Sequence, residues 1–414
     1  MNASSKIIND PLYGFISLQD GIILNLIEHP YFQRLRRISQ LGLTSLIYPG
    51  ALHTRFHHAI GAMHLMQKAI NVLRYKGHVI SNEEAEGAKI AILLHDIGHG
   101  PFSHSLEHSI VDNISHEQLS LFYMRKLNNE FNGKLDLAIQ IFKDEYSKSY
   151  LHQLVSSQLD MDRMDYLNRD SFYSGVQEGI IGAERIINML DVVDDKLVVE
   201  SKGIYSVEKF LIARRLMYWQ VYYHKTVVSA EQMLIKVLQR AKELSQNNIE
   251  LFCTSSFLHL LKNNFTIEDF KSNPKVFEAF TELDDYDIMA SIKEWQNHSD
   301  NILASLSNKI VKRELFYVTL LDEPMDDLSI SRIKKNIMKH YNLDATNVNY
   351  FFLEGEITNS AYKLNDSDIH ILFKQNQIKD LIDAADKSTI SALCNTVKKF
   401  FYCYLKTNTF KLLL

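Results

Sequence analysis

Residues 92–104, ILLHDIGHGPFSH, join the end of an apolar helical run to a dense group of polar side chains. The segment contains His95, Asp96, His99 and His104, and its two glycines and one proline break the helix and let the backbone approach closely. Ten of the chain's seventeen histidines lie between positions 53 and 116. Because histidine binds transition metals and titrates near neutral pH, this density predicts a metal-bearing catalytic pocket.

The composition is that of a large globular protein. The chain has 414 residues, of which 46% are hydrophobic and 23% charged, with a net charge of −5. It therefore has no overall basic field for nucleic acid or an anionic membrane. Its three cysteines lack metal-ligand spacing and favour reduced thiols, and no run approaches the roughly 18 apolar residues of a spanning helix. With no secretory signal at the start of the sequence, we expect a cytoplasmic protein with no membrane partner.

Hydrophobic periodicity predicts a mainly α fold. Apolar residues recur at helical spacing over residues 25–41, 59–73, 84–95, 116–127 and 207–241. After about residue 245, strand-like segments occur at residues 316–321, 349–353 and 368–373. Further helices are predicted over residues 247–264, 302–312, 329–341 and 378–404. We therefore predict a helical core over residues 1–245 and a smaller α+β region over residues 246–414, with a boundary between 245 and 315.

The pair His95–Asp96 is weak evidence alone, because chance supplies such dipeptides. A single histidine is also more often a hydrogen-bonded structural residue than a ligand. However, a buried Asp96 needs a partner, and so do the neighbouring histidines and the aspartates of residues 160–165. One cation with bound phosphates would satisfy most of these groups together, so we favour a metal site.

Four motifs follow one another in the order TRFHHAIGAMH, HDIGHGPFSH, SHEQ and DMDRMDYLNRD. Together they resemble the HD-domain metal-dependent phosphohydrolases, whose signature H…HD…D reads here His58, His95, Asp96 and Asp162. The resemblance is closest to the deoxynucleoside triphosphate triphosphohydrolases and runs from about residue 11 to residue 238. It implies an HD-domain helical core that hydrolyses dNTPs to deoxynucleoside and triphosphate. The mixed imidazole and carboxylate ligands suit iron, manganese, nickel or zinc, with magnesium as a companion of the phosphates.

The resemblance also implies roles for other side chains. His116 matches the histidine that protonates the leaving 5′-oxygen, and a second catalytic cluster matches His99, His104 and Glu107, the last standing where relatives have aspartate. Phosphate contacts match Arg55, Arg163 and Arg214, although a solvated helix face is the alternative for Arg214. The deoxyribose pocket matches Gln40, Leu41, Tyr166 and Asp170.

A regulatory nucleotide site is a further implication of the resemblance. Its contacts match Glu28, Gln33, Arg36 and Lys225, with glutamate in place of the relatives' aspartate at position 28. The alternative is that Glu28 and Arg36 form surface ion pairs on one predicted helix. Because relatives assemble into oligomers, we expect a homodimer or homotetramer.

Two other functions stay open. One is another HD phosphohydrolase reaction, such as phosphodiester or nucleoside monophosphate cleavage, and the other is a non-catalytic nucleotide-sensing scaffold. Gln40, Tyr166 and Asp170 favour a deoxynucleoside triphosphate, whereas the intact ligand set and His116 favour turnover. The sequence has neither the P-loop motif G-x-x-x-x-G-K-[ST] nor a G-x-S-x-G nucleophile motif.

Overall fold

The computed structural model describes residues 6–18, 21–102, 106, 109–110, 114–363 and 368–405. The predicted catalytic residues His104 and Glu107 lie outside these residues. The chain begins with an antiparallel hairpin of β1 (Lys6–Asp10) and β2 (Gly14–Leu18). Within the ranges given, no helix has the length and apolar content needed to cross a membrane.

The first half is helical, as predicted. Its helices are α1 (Ile22–Glu28), α2 (Pro30–Gln33), α3 (Arg55–Tyr75), α4 (Asn82–Leu94), α5 (His116–Glu130), α6 (Asp136–Phe142), α7 (Ser149–Val155), α8 (Met161–Ser174), α9 (Ala183–Asn188), α10 (Ile204–Met217) and α11 (Lys225–Gln246). A short hairpin of β3 (Leu190–Val193) and β4 (Lys196–Glu200) lies between α9 and α10. Helix α3 packs against both α4 and α8, and these three helices carry the predicted metal ligands or end beside them.

The second half adds helices and two small sheets, which confirms the predicted mainly α class with α+β character. Its helices are α12 (Ser255–Lys262), α13 (Ile267–Ser272), α14 (Pro274–Glu282), α15 (Asp285–Trp295), α16 (Asn301–Val311), α17 (Asp327–Tyr341), α18 (Leu381–Ala384) and α19 (Lys387–Cys394). Its strands are β5 (Tyr317–Leu321), β6 (Phe352–Asn359), β7 (His370–Leu372), β8 (Ile378–Asp380) and β9 (Val397–Tyr404). Strand β9 pairs antiparallel with both β5 and β6.

The two halves of the chain are joined by a common β-sheet and by hydrogen bonds. Strand β4 pairs in parallel with β7, giving a four-stranded sheet of order β3-β4-β7-β8. The junction of α14 and α15 also contacts the segment that leads to Gln40: Arg34 Nε donates to Leu283 O (2.9 Å), and Ser39 N donates to Asp285 Oδ2 (2.9 Å). The predicted domain boundary near residue 245 stays a prediction.

Several predicted helices were wrong in extent or type. The helix over residues 25–41 is broken because Pro30 starts a new helix, and Arg34–Arg37 then form a 3₁₀ turn. The helix over residues 207–241 is interrupted by a π-helical turn at Tyr218–Tyr222. The helix over residues 378–404 is instead β8, two short helices and the central strand β9. The β9 sequence, VKKFFYCY, is rich in aromatic residues, which favour strands.

Candidate active site and metal centre

The predicted ligands lie at the ends of three helices. Helix α3 starts after a capping box formed by Thr54 and His57, which places His58 in its first turn. Helix α4 ends at Leu94, immediately before the HD pair. Asp160 caps the start of α8 by accepting from Arg163 N (2.7 Å), which places Asp162 in that helix's first turn.

The structure brings the four predicted ligands together. His58 Nε2 lies 3.1 Å from Asp162 Oδ1 and 3.4 Å from His95 Nε2. His95 Nε2 lies 3.3 Å from Asp96 Oδ1 and 3.4 Å from Asp162 Oδ1, and His58 Nε2 lies 3.8 Å from Asp96 Oδ2. The donor atoms of His58, His95 and Asp162, at separations of 3.1–3.4 Å, fit around one ion with metal–ligand distances of about 2.0–2.2 Å, and Asp96 lies beside them. His58, His95 and Asp162 alone already form a group able to hold a metal ion.

The outer ring nitrogens of the two histidines fix which way each ring faces. His58 Nδ1 donates to Asp165 Oδ2 (2.8 Å), and His95 Nδ1 donates to the carbonyl oxygen of Ile92 (2.6 Å). Since a carboxylate and a carbonyl only accept, each Nδ1 carries the proton in these contacts. Each Nε2 therefore faces the shared centre, where it can give its lone pair to an ion in exchange for a proton.

The electrostatics of the cluster also fit a cation. Burial alone would lower the pKa of His58, but hydrogen bonds to Asp162 and Asp165 raise it to about 10. Burial alone would raise the pKa of Asp162, yet hydrogen bonds from His58 and His95 hold it below its usual range. Buried carboxylates are thus balanced by a protonated imidazole. A divalent ion supplies the same positive charge, so the donor set fits such an ion.

A second group of donors, Asp96, His99 and His116, lies next to the first. His99 Nε2 lies 3.4 Å from Asp96 Oδ1, and the His99 and His116 rings stack at 3.8 Å with an angle of 18°. An imidazole lone pair lies in its ring plane, so two nearly parallel stacked rings do not direct their lone pairs at one small ion. This stacked pair is better suited to contacting oxygens of a bound phosphate.

The protonation of this pair is set by its neighbours. Burial and then the charge of Arg55 hold the pKa of His99 well below its usual range, so His99 is neutral. His116 is partly exposed and lies 3.1 Å from Glu117 Oε1 through its Nε2. This hydrogen bond lowers the pKa of Glu117 to about 2 and places an ionised carboxylate against His116.

The predicted phosphate-binding arginines have different environments. Buried Arg55 donates from Nη1 to Asp96 Oδ2 (2.5 Å), and Arg163 Nη1 lies 3.6 Å from Asp160 Oδ2 and 3.9 Å from Asp162 Oδ2. Arg214 is also buried, so it is not on a solvated helix face. Its Nη1 donates to the carbonyl oxygen of Ala361 (3.1 Å). Two of these three arginines therefore contact the carboxylates of the cluster directly.

Two of the predicted deoxyribose residues, Tyr166 and Asp170, lie on α8, and the partners of Asp170 were missed in the sequence. Tyr166 lies beside His58, with ring centroids 6.5 Å apart. Asp170 accepts from His53 Nε2 and from the Tyr222 hydroxyl, both at 2.7 Å. His53 was missed because it lies just outside the motif TRFHHAIGAMH, two positions before Arg55. Tyr222 is brought to Asp170 by the π turn, which no periodicity indicated.

The other two residues predicted for a sugar pocket are Gln40 and Leu41. The backbone N–H of Gln40 donates to the carbonyl oxygen of His53 (3.0 Å). Within the described part of the chain, the buried Gln40 Oε1 has no hydrogen-bond partner. Leu41 is half-buried at the start of the following 3₁₀ turn. An unpaired buried acceptor is costly, so Gln40 is a group that a ligand could satisfy.

The predicted regulatory residues do not form one contiguous helix face. Arg36 Nε donates to Gln33 Oε1 (2.8 Å), and its guanidinium lies 3.6 Å from the centre of the Phe56 ring. Glu28 instead accepts from Lys6 Nζ (2.6 Å), and exposed Lys225 begins α11. Glu28 therefore forms a surface ion pair, as the alternative predicted, whereas the single helix predicted to carry both Glu28 and Arg36 was wrong. A nucleotide site here stays a prediction.

Two family models, two related sequences and a crystal structure are similar to this chain. Residues 55–170 match the family model described as HD domain, and residues 181–264 match the HD associated region. The crystal structure of a phosphohydrolase from Bacteroides thetaiotaomicron is similar, with a TM-score of 0.94 and 51% identity over 97% of this chain and 100% of that one. The uncharacterized protein YwfO of Bacillus subtilis is 31% identical over 97% of this chain and 92% of its own length. A Dictyostelium discoideum protein named deoxynucleoside triphosphate triphosphohydrolase SAMHD1 homolog is 30% identical over 62% of this chain and 53% of its own length.

Proposed function

This chain belongs to the HD-domain family of phosphohydrolases, and we propose that it hydrolyses deoxynucleoside triphosphates to deoxynucleoside and inorganic triphosphate. The observation that carries the proposal is the joining of two sets of donors through Asp96, which belongs to the predicted ligand set and also to the group with stacked His99 and His116. One set suits a cation, and the other suits the phosphates that the cation would bind. Support for the substrate comes from the relatives in Dictyostelium discoideum and Bos taurus, whose names describe deoxynucleoside triphosphate triphosphohydrolases.

We propose that the ligands of the ion are His58, His95, Asp96 and Asp162. Their mixed nitrogen and oxygen donors suit iron, manganese, nickel or zinc, with magnesium accompanying the substrate phosphates. When bound, such an ion supplies Lewis acidity toward a phosphate and lowers the pKa of an attacking water. The protein residues around it bind the phosphates, orient the sugar and move the proton.

Positive charge for the triphosphate comes from side chains and helix ends. Arg55 and Arg163 contact the carboxylates of the cluster and can exchange these contacts for phosphate oxygens. The first turns of α3, α5 and α8 carry Arg55, His116 and Asp162, so three helix N-termini meet at the site. Helix N-termini favour anions, because their backbone N–H groups and dipoles present positive charge.

We propose His116 as the general acid. When water attacks the α-phosphorus, the bond from phosphorus to the 5′-oxygen breaks, and the departing oxygen requires a proton. An imidazole in a partly exposed position, held beside ionised Glu117, is suited to deliver that proton. Neutral His99, stacked on His116, keeps the ring in place and offers a second nitrogen to the phosphates.

The sugar pocket would select a deoxyribose. Tyr166 lies next to His58, where its ring would leave no room for a 2′-hydroxyl, and Asp170 would accept from the 3′-hydroxyl. Gln40 and Leu41 would close the pocket, with the unpaired Gln40 Oε1 taking a hydrogen bond from the nucleotide. The alternative HD reactions do not require these contacts, so the sugar pocket is the basis for preferring a dNTP.

Product identification tests the proposal. The purified protein is incubated with each dNTP and each NTP in the presence of manganese, iron, nickel, zinc or magnesium, and the products are separated by ion-exchange chromatography. We expect deoxynucleoside and tripolyphosphate in equal amounts. Release of monophosphate, pyrophosphate or orthophosphate would instead support another phosphohydrolase reaction. Nucleotide binding without turnover under every metal would support the sensing scaffold.

Assembly and regulation belong to the same proposal. We propose a cytoplasmic homodimer or homotetramer with an activating nucleotide contacting Glu28, Gln33, Arg36 and Lys225. Light scattering during size-exclusion chromatography, with and without each nucleotide, measures the oligomeric state. A monomer that turns over dNTPs at the same rate with and without added nucleotides would exclude this form of regulation.

A further inference from the structure

A chain of buried charged side chains runs from His58 to the N-terminal hairpin. Asp165 Oδ2 accepts from His58 Nδ1 (2.8 Å) and from Arg169 Nε (2.9 Å), while Asp165 Oδ1 accepts from Arg169 Nη2 (2.9 Å). Arg169 Nη1 then donates to Asp10 Oδ2 (2.9 Å) at the end of β1. The three charged residues are 5% exposed or less. Together they link the metal-ligand position on α3 to α8 and to a hairpin that precedes the matched family region.

We propose that Asp165, Arg169 and Asp10 are positioning residues for His58. The β1–β2 hairpin, which carries Asp10, would then support metal binding. This inference rests on the metal centre proposed above. It concerns how strongly and in what geometry the ion is held, and it does not depend on which nucleotide is hydrolysed. None of the three residues would touch the ion or the substrate.

The arrangement of donors explains why three residues are needed. Asp165 holds the proton on His58 Nδ1, so that Nε2 keeps its lone pair for the ion, and partners of this kind strengthen metal binding. A carboxylate buried without a counter-charge is unfavourable, and the two-pronged contact from Arg169 both neutralises Asp165 and fixes its plane. Arg169 in turn has one further nitrogen to satisfy inside the protein, and Asp10 accepts from it.

The local sequence is suited to this close contact. A Cβ atom on Gly61 would lie 2.1 Å from both Arg169 Nη2 and Asp165 Oδ1, so only glycine lets α8 approach α3 here. Asp10 has a second task, because its Oδ1 accepts from the backbone N–H groups of Leu12 (2.9 Å) and Tyr13 (3.0 Å). The same carboxylate therefore closes the hairpin turn with one oxygen and holds Arg169 with the other.

The two tasks of Asp10 can be separated by the substitution Asp10→Asn. The amide oxygen of Asn can keep the turn contacts, whereas its NH₂ group cannot accept from Arg169. We measure metal affinity by competition with a chelator, and the visible absorption bands of the Co²⁺-loaded protein, whose shape reports ligand number and geometry. We expect Asp10→Asn to weaken metal binding about 10–100-fold and to alter the Co²⁺ spectrum.

The chain offers a matched control away from the site. His78 Nε2 contacts Asp191 Oδ1 (2.5 Å) between the end of α3 and β3, so Asp191→Asn removes the charge from another histidine–aspartate pair. We expect Asp191→Asn to leave metal affinity and the Co²⁺ spectrum unchanged. If Asp191→Asn weakens metal binding as much as Asp10→Asn does, the effect is general to the fold, and the inference is overturned.

Further variants separate the remaining outcomes. If Asp10→Asn lowers only the melting temperature, with affinity and spectrum as in the wild type, the three residues are merely structural and the inference is wrong. If Asp10→Asn does not fold, Arg169→Lys, which keeps the charge but loses the two-pronged contact, must weaken metal binding, and unchanged binding overturns the inference. His58→Ala distinguishes failure of this inference from failure of the proposed metal centre. If His58→Ala also binds metal normally, then the proposed metal centre itself is wrong.

Discussion

Replacing Gly98 by alanine should disturb catalysis through the position of His116. A Cβ atom on Gly98 would lie 2.3 Å from Ser120 N, 2.4 Å from His116 O and 2.8 Å from the carbonyl carbon of Leu119. All three are backbone atoms in the first turns of α5, so no side-chain rotation relieves the contact. Restoring a van der Waals distance of about 3.5 Å requires the start of α5 to move by about 1 Å.

This displacement sets the expected magnitudes. Forcing a methyl group into a packed contact lowers the free energy of unfolding by about 1–3 kcal/mol. A misplacement of about 1 Å in a catalytic group can lower the rate on the order of 10²-fold. The metal ligands lie on other helix ends, so we expect bound metal to stay near the wild-type amount. The assays are thermal unfolding, metal analysis, and the rate of tripolyphosphate release from dNTPs.

The same loop provides a control for this prediction. A Cβ atom on Gly100 would lie 2.4 Å from Leu106 Cδ2, which is the end of a flexible side chain and can rotate away. Gly100→Ala should therefore cost much less in rate and stability than Gly98→Ala. A Gly98→Ala protein with a wild-type rate and melting temperature, or one no worse than Gly100→Ala, would refute the reasoning.

Four other substitutions test separate parts of the structure. His95→Ala and Asp162→Ala should each remove bound metal, measured by elemental analysis, and activity with it; retained metal in either would contradict its assignment as a ligand. His116→Ala should keep the metal and slow the reaction on the order of 10²-fold, and an unchanged rate would exclude the general-acid role. Burial raises the pKa of Glu231 to about 7 from 4.5, so the unfolded state ionises first and folding stability falls as pH rises between these values. Glu231→Gln should therefore stabilise the protein by up to about 3 kcal/mol above pH 7 and by little below pH 4.5; urea unfolding at several pH values would reveal a pH-independent effect if this is wrong.

The sequence predicted the parts of the site that depend on local motifs. His58, the HD pair and Asp162 stand at helix ends next to glycines or capping residues, and these features can be seen without a structure. By contrast, the contact between Arg169 and Asp10 joins residues 159 positions apart. No local sequence pattern predicts this contact, because it forms only when α8 and the hairpin pack together.

The errors in secondary structure have similarly local causes. Strand β9 ends in a run of buried residues without alternation, and such a run cannot be distinguished from a buried helix by periodicity alone. The helix predicted over residues 25–41 ignored Pro30, which favours the first turn of a new helix. The π turn at Tyr218–Tyr222 adds a residue to a helical turn, and its apolar spacing still resembled a continuous helix.

The two hydrogen bonds that Asp170 accepts within the protein affect how nucleotides without a 3′-hydroxyl should be hydrolysed. Both carboxylate oxygens already accept within the protein, from His53 and from Tyr222. When a dideoxynucleotide binds, Asp170 therefore still has a hydrogen-bond donor for each oxygen. A polar pocket rejects an analogue strongly only when the analogue leaves a buried acceptor without a donor. If the proposed substrate class is correct, dideoxynucleotides should be turned over with only a modest loss relative to their natural counterparts.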